Sequence, residues 1–197
     1  MSGIEFFVGY ALSVAVGIPL GIATGWYRRL FYVLDPFISA FYATPRVALL
    51  PLIIIWVGIG IWSKIVVVFL GAVFPVLLNT LAAVRTTDAR LLRAARSFGA
   101  GDLQVFRTIV LPGSVPFILT GLRLGAGRAL VGVVVGELYA ATAGVGFLIA
   151  VAGASFQTDK VLVGVLLITA AGVLSMEALT RLERRFEKWR PRVGAAP

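Results

Sequence analysis

Apolar residues in this chain are gathered into blocks about as long as a bilayer is thick, and that grouping sets the fold class before any motif is considered. A helix rising about 1.5 Å per residue needs roughly 20 apolar residues to cross the hydrocarbon core. Five segments meet or approach that length. Ile4–Gly25 carries a single charge, Glu5, at one end. Phe37–Gly58 is interrupted by Pro45, Arg46 and Pro51, which predict a kinked span. Ile65–Val84 has no charge, Pro112–Gly136 carries Arg123 and Arg128, and Val161–Leu179 is clean until Glu177. The stretch Ala140–Phe156 is apolar but broken by Gly144, Gly146 and Gly153, so a short interfacial or re-entrant helix is expected there. The expectation is an all-α, polytopic transmembrane bundle of about five spans, forming one membrane domain over residues 1–197.

Composition agrees and removes several function classes. Hydrophobic residues make up 59% of the chain and charged residues 14%, against about 45–50% and about 25% in soluble domains. The formal net charge is +9, but the bases flank apolar blocks, a placement suited to anionic lipid and topology rather than to nucleic acid. There is no cysteine and no histidine, so thiol chemistry and the usual zinc sites are excluded, and no metal or catalytic site is expected. No basic region precedes Ile4, so the first block reads as a retained span and not as a cleaved leader.

Arginines mark the sides of the membrane. Arg28 and Arg29 follow the first block, Arg85, Arg90, Arg93, Arg96 and Arg107 follow the third, and Arg181, Arg184, Arg185, Lys188, Arg190 and Arg192 follow the fifth. The alternate loops offer only Lys64 and Lys160. The positive-inside rule therefore places these segments and the tail 181–197 in the cytoplasm, and the N-terminus outside. That orientation suggests a further span ahead of Met1.

The connection 85–111 is too polar to span, yet it has helical order. Asp88 is placed to cap a helix whose apolar residues Leu91, Leu92, Ala95 and Phe98 recur at helical spacing. Gly99 supplies a stop, and Asp102 is placed to cap a second helix with Leu103, Phe106, Ile109 and Val110 that reaches the membrane at Pro112. Such an element is either an amphipathic connector lying on headgroups or a docking element for a cytoplasmic partner.

Here the sequence resembles a known family. Ala94-Ala95, Gly99 and Ile109-Val110-Leu111-Pro112, with Phe106 between them, match in spacing the EAA loop of ABC-importer permeases. Leu34-Asp35-Pro36, Ala43-Thr44-Pro45, Leu50-Pro51-Leu52, Phe74-Pro75, Asn79-Thr80, Gly121-Leu122-Arg123 and Gly144-Val145-Gly146 look like the sulfonate, taurine and nitrate branch. The resemblance implies a type I importer permease in a bacterial inner membrane, whose loop residues Arg93–Phe98 enter a groove of a separate ATPase, with Gly99 setting the turn. It also implies an external substrate-binding protein, a second permease copy beside this chain, and a small anionic cargo. ATP and magnesium then belong to the ATPase; this chain lacks a phosphate-cradling loop ending in Lys and Ser/Thr. Two departures stand out. Arg93 occupies the position of the motif's Glu, and the five blocks are one fewer than the family's usual six spans.

Ionisable residues in or near spans are the remaining candidates, because such groups are costly in hydrocarbon and face a partner or a wet cavity. Arg46, Arg123, Arg128 and Glu137 are in this position. Arg46 and Arg123 either line a path for an anion or are paired structurally, with Arg46 also able to snorkel toward the cytoplasm. Arg128 and Glu137 lie on opposite faces of one helix, so each needs a partner elsewhere. Gly121, Gly125, Ala129, Gly132 and Gly136 form a small-residue stripe suited to close helix packing, with a homodimer axis as one candidate place. Trp26, Trp56, Trp62 and Trp189 read as interfacial anchors. An ATPase-independent carrier, a membrane-embedded enzyme and a degenerate regulatory subunit are the competing classes. Few span charges and the lack of paired carboxylates weigh against the first two.

Overall fold

The computed structural model describes residues 2–140 and 142–186, and its regular structure there is entirely helical. Helix α1 (Ser2–Trp26) is followed by α2 (Arg28–Ala43), a 3-10 turn (Arg46–Leu49) and α3 (Leu50–Val57). Then come α4 (Ile61–Arg85), α5 (Ala89–Ser97) and α6 (Asp102–Val105). A π-helical turn, Phe106–Val110, joins α6 to α7 (Leu111–Ala140), and α8 (Val145–Ala154) and α9 (Thr158–Phe186) complete the fold. Four helices are long and apolar enough to cross a membrane, or five if the bent pair α2 and α3 is one span.

The core is a three-helix layer with α4 between α1 and α7. Down one side of α4 run Val68, Ala72, Val76, Thr80 and Val84, four residues apart. Against them α1 presents Gly9, Ser13, Gly17, Gly21 and Gly25 at the same spacing. A Cβ added at Gly9 would lie 2.7 Å from Val68 Cβ, and one at Gly21 would lie 2.6 Å from Thr80 Cβ. The glycines therefore set how closely the two backbones approach, the device by which membrane helices gain packing without a hydrophobic driving force. From the other side α7 brings Gly121, Gly125, Ala129 and Gly132 onto the same helix; a Cβ at Gly125 would lie 2.8 Å from Val76 Cγ2. The small-residue stripe of α7 is thus used inside the chain, in packing against α4. Ser13 and Thr80 return their hydroxyls to backbone carbonyls, at 2.8 Å to Gly9 and 2.7 Å to Val76, so neither leaves a bare polar group in the interface.

Two segments differ from the sequence reading. The second span is broken near Pro45, in keeping with the expected kink, but it covers more of the chain than 37–58. Its helix begins at Arg28 and ends at Ala43, and the chain then turns by 86° into α3. Pro45 has no N–H to continue the ladder and disfavours helical geometry at Thr44, which is extended here (ψ 127°). Pro51 does not kink anything; it sits in the first turn of α3, where a missing N–H costs nothing. Asp102 is not a cap. Gly101 takes that position and Asp102 is the first helical residue. Nor is there a separate second loop helix, because 102–140 is one continuous 39-residue helix. Pro112 explains the π turn just before it: its ring and missing N–H disturb the bond to Thr108, and a wider turn accommodates both.

Lys64 is also not a loop residue. It lies in the first turn of α4, 4% exposed, and forms an ion pair with Glu5 of α1, itself fully buried. Helix α9 is mostly exposed from Thr158 to Arg181, with Leu166 and Leu174 among its open apolar residues. Trp56 and Trp62 are exposed as anchors would be, whereas Trp26 packs edge-on against Phe106, ring centroids 5.3 Å apart. Trp189 and the tail beyond Phe186 lie outside the described residues.

Candidate functional sites: the connecting loop and a two-arginine cavity

The loop between α4 and α7 is built by caps at both ends of α5. Asp88 accepts the backbone N–H of Arg90 at 2.7 Å, closing the N-terminus. At the other end Gly99 takes φ +78°, a left-handed conformation that glycine adopts without penalty. The Gly99 N–H then reaches the Arg96 carbonyl at 3.0 Å and the Ala100 N–H reaches Ala95 at 3.1 Å. This is the Schellman pair of bonds that stops a helix and reverses the chain.

Packing divides the loop's apolar residues between two directions. Leu92, Ala95, Ala100, Phe106 and Ile109 close over buried Val84, Val105 and Val110, with Ile22 and Trp26 of α1 completing the cluster. Leu91, Leu103 and Phe98 point the other way, and Phe98 is 92% exposed. Arg93 and Ala94 share that open side, while Leu111 and Pro112 are half-buried where the helix continues into α7. Of the loop residues singled out from sequence, then, Ala95 and Phe106 hold the element to the bundle. Arg93, Ala94 and Phe98 face outward around the Gly99 turn. The Arg96–Asp102 contact at 3.4 Å ties the two arms across this turn but is exposed, and so adds little.

A second feature lies deeper. A cavity of about 460 Å³ opens between the α2–α3 break, α4 and α7, lined by Arg46, Arg128, Tyr42, Thr44, Val67, Gly71 and Pro75 among others. Arg46 sits in the 3-10 turn at the break, and its guanidinium carbon lies 5.6 Å from the ring centre of Tyr42 and 5.4 Å from that of Phe74. Its Nε is buried with no hydrogen-bond partner. None of the lining residues is acidic. Sequence reasoning had coupled Arg46 with Arg123; the structure brings Arg46 to Arg128 instead, and Arg123 is outside this cavity.

Glu137 is elsewhere again. Its carboxylate accepts the Ser2 hydroxyl at 2.5 Å and the Gly146 N–H at 2.7 Å, at the start of α8. A carboxylate at a helix N-terminus meets free N–H groups and the positive end of the dipole. A side chain on Gly144 or Gly146 would collide with it, which gives Gly144-Val145-Gly146 a physical purpose. Sequence reasoning missed this cradle and the Glu5–Lys64 pair, because both depend on long-range register. Among the described residues no group of His, Cys, Asp or Glu is arranged to hold a metal ion.

Residues 17–188 match the family described as "binding-protein-dependent transport system inner membrane component". The chain belongs to that family. Its similarity to named members is substantial. It is 42% identical over 177 residues to the taurine transport system permease protein TauC of Escherichia coli (strain K12), covering 90% of this chain and 64% of that one. It is 37% identical over 183 residues to the putative aliphatic sulfonates transport permease protein SsuC of Bacillus subtilis (strain 168), covering 93% and 66%. The chain therefore spans just under two thirds of the length of these two relatives. In fold, this inner membrane component is like a chain of the MetNI methionine ABC transporter in an inward-facing conformation. The TM-score is 0.82 at 20% identity, covering 94% of this chain and 92% of that one. The helical permease architecture expected from the sequence is thus found, in a multi-pass membrane protein of an inner-membrane family.

Proposed function

We infer that this chain is the permease subunit of an ABC importer, forming with a second permease copy the path for a small anionic solute of the sulfonate, taurine or nitrate type. A binding protein delivers the solute on the outer face, and a separate ATPase, which carries ATP and magnesium, docks on the loop at α5. The chain itself hydrolyses nothing; the loop and the C-terminus lie on the cytoplasmic side of a bacterial inner membrane. The observation that carries this reading is Phe98. A phenylalanine 92% exposed at the tip of a polar, capped, outward-facing turn is left uncovered by the described residues. Exposed aromatics beside basic side chains are the residue types that anchor protein interfaces. The family match supplies the partner's class, and the names of the similar permeases supply the cargo's class.

Gentle solubilisation of native membranes with a tag on this chain tests the reading. Two copies of the chain with two ATPase subunits is the expected recovery. Gly99→Trp should leave the chain in the membrane: a Cβ there meets nothing within 4 Å, yet φ +78° is strained for any other residue. It should abolish co-purification of the ATPase. Recovery of the chain alone, under conditions that hold a known importer together, would favour an ATPase-independent carrier.

A further inference from the structure

The two guanidinium groups of the cavity have an unmet electrostatic requirement. Arg46 stands at the break between α2 and α3, and Arg128 reaches in from α7; the α4 residues beside them, Val67, Gly71 and Pro75, bracket the middle of that helix. Charges at this depth are costly and are tolerated where they meet a counter-charge or a water-filled space. Neither arginine has an ion pair among the described residues, and no Asp or Glu lines the cavity. The rings of Tyr42 and Phe74 hold the Arg46 guanidinium in place without cancelling its charge. Arg46 is half-buried, with its Nε enclosed and its guanidinium lying over the edge shared by the Tyr42 and Phe74 rings. Two like charges sharing one wall repel each other, and an anion between them relieves that repulsion and the partial desolvation of Arg46.

We propose that Arg46 and Arg128 form an anion site for an oxyanion headgroup carrying a small organic tail. The planar guanidinium fork matches the paired oxygens of such a group. The tail lies on the apolar part of the same wall, Val47, Val67, Val131 and Val135. The chain break adds to the site: Pro45 cannot donate to the Phe41 carbonyl, so a helix end opens at mid-depth, as at other broken-helix sites in membranes. This deepens the importer reading and rests on it for the anion being cargo; the binding itself does not depend on the ATPase.

The test is equilibrium binding of radiolabelled ethanesulfonate to the full chain in nanodiscs of uncharged lipid, without ATP. Saturable binding is expected, weakened by salt and competed by methanesulfonate and nitrate but not by ethylammonium or ethanol. R46Q and R128Q should each weaken it by about tenfold or more, and R46K and R128K should retain part of it. The lysine variants guard against loss through misfolding. No saturable binding to the unaltered chain, binding unchanged in both glutamine variants, or equal competition by ethylammonium would each overturn the site. A chain that recovers its ATPase while failing these tests keeps the importer reading and loses this one. A chain that passes them without recovering an ATPase does the reverse.

Discussion

The backbone N–H of Gly146 donates to Glu137 Oε2 at 2.7 Å, so the end of α7 caps the start of α8 through a buried carboxylate. The chain between them must pass close around that carboxylate, and Gly144 does so at φ +128°. Gly144→Ala combines a strained backbone with a Cβ placed inside the carboxyl group. It should destabilise the protein by about 2–4 kcal/mol. Gly153→Ala, in α8 with nothing within 4 Å, is the control and should stay within about 0.5 kcal/mol. Thermal unfolding of both variants in the same detergent decides the matter; equal midpoints would remove the cradle.

The packing of α1 on α4 makes a separate prediction. Gly21→Val puts a branched side chain where Thr80 Cβ and the Leu77 carbonyl already stand, at 2.6 and 2.7 Å from the new Cβ. A loss of about 1–3 kcal/mol is expected, read as a shift in the SDS concentration that unfolds the chain. Gly3→Val, where the space is open, should leave that concentration unchanged.

Lys64 and Glu5 should behave as a coupled pair. Lys64→Met leaves Glu5 buried without its counter-charge and should cost about 3–5 kcal/mol. The double change Glu5→Leu with Lys64→Met removes both charges and should be closer to the unaltered chain than Lys64→Met alone. A double-variant cycle in SDS unfolding measures this, and simple additivity would show that the pair is not coupled.

Phe98 and Phe106, on opposite sides of one short loop, should separate docking from stability. Phe98→Ala should leave unfolding within about 0.5 kcal/mol, because the ring touches solvent, and should reduce the amount of ATPase that co-purifies. Phe106→Ala removes a ring packed on Trp26 and should cost about 2 kcal/mol. If Phe98→Ala retained the full amount of ATPase, the outward face of the loop would not be the contact.

The sequence disclosed what local chemistry controls. The apolar blocks around α1, α4, α7 and α9 are long enough to be read by length alone, and Asp88 and Gly99 announce the ends of α5 through capping. The start of α2 is hidden from hydropathy because Arg28, Arg29 and Asp35 dilute its first turns. The 86° turn at Pro45 could be suspected, but its size depends on what packs beside it. The Gly9, Ser13, Gly17, Gly21 and Gly25 stripe is legible at a spacing of four, as is its counterpart in α7, but the sequence does not say that both close on α4. The pairing of Arg46 with Arg128 had no local signal at all. It arises because the break in one span turns toward a helix more distant in the chain.

Val68 and Val76 of α4 are met from both sides by glycines, Gly9 and Gly17 of α1 and Gly132 and Gly125 of α7, so the three backbones lie unusually close. Phe106 of the loop cluster and Arg128 of the cavity lie on the same continuous helix, Asp102–Ala140, so one element links the two sites. The sharp changes of chain direction lie outside that block. The bend at Thr44–Pro45 and the turn at Gly58, where φ is +86° and no neighbour crowds the backbone, are the two nearest the cavity. Arg128 thus belongs to the tightly packed block and Arg46 to the bent segment outside it, so the cavity lies across the seam between the two.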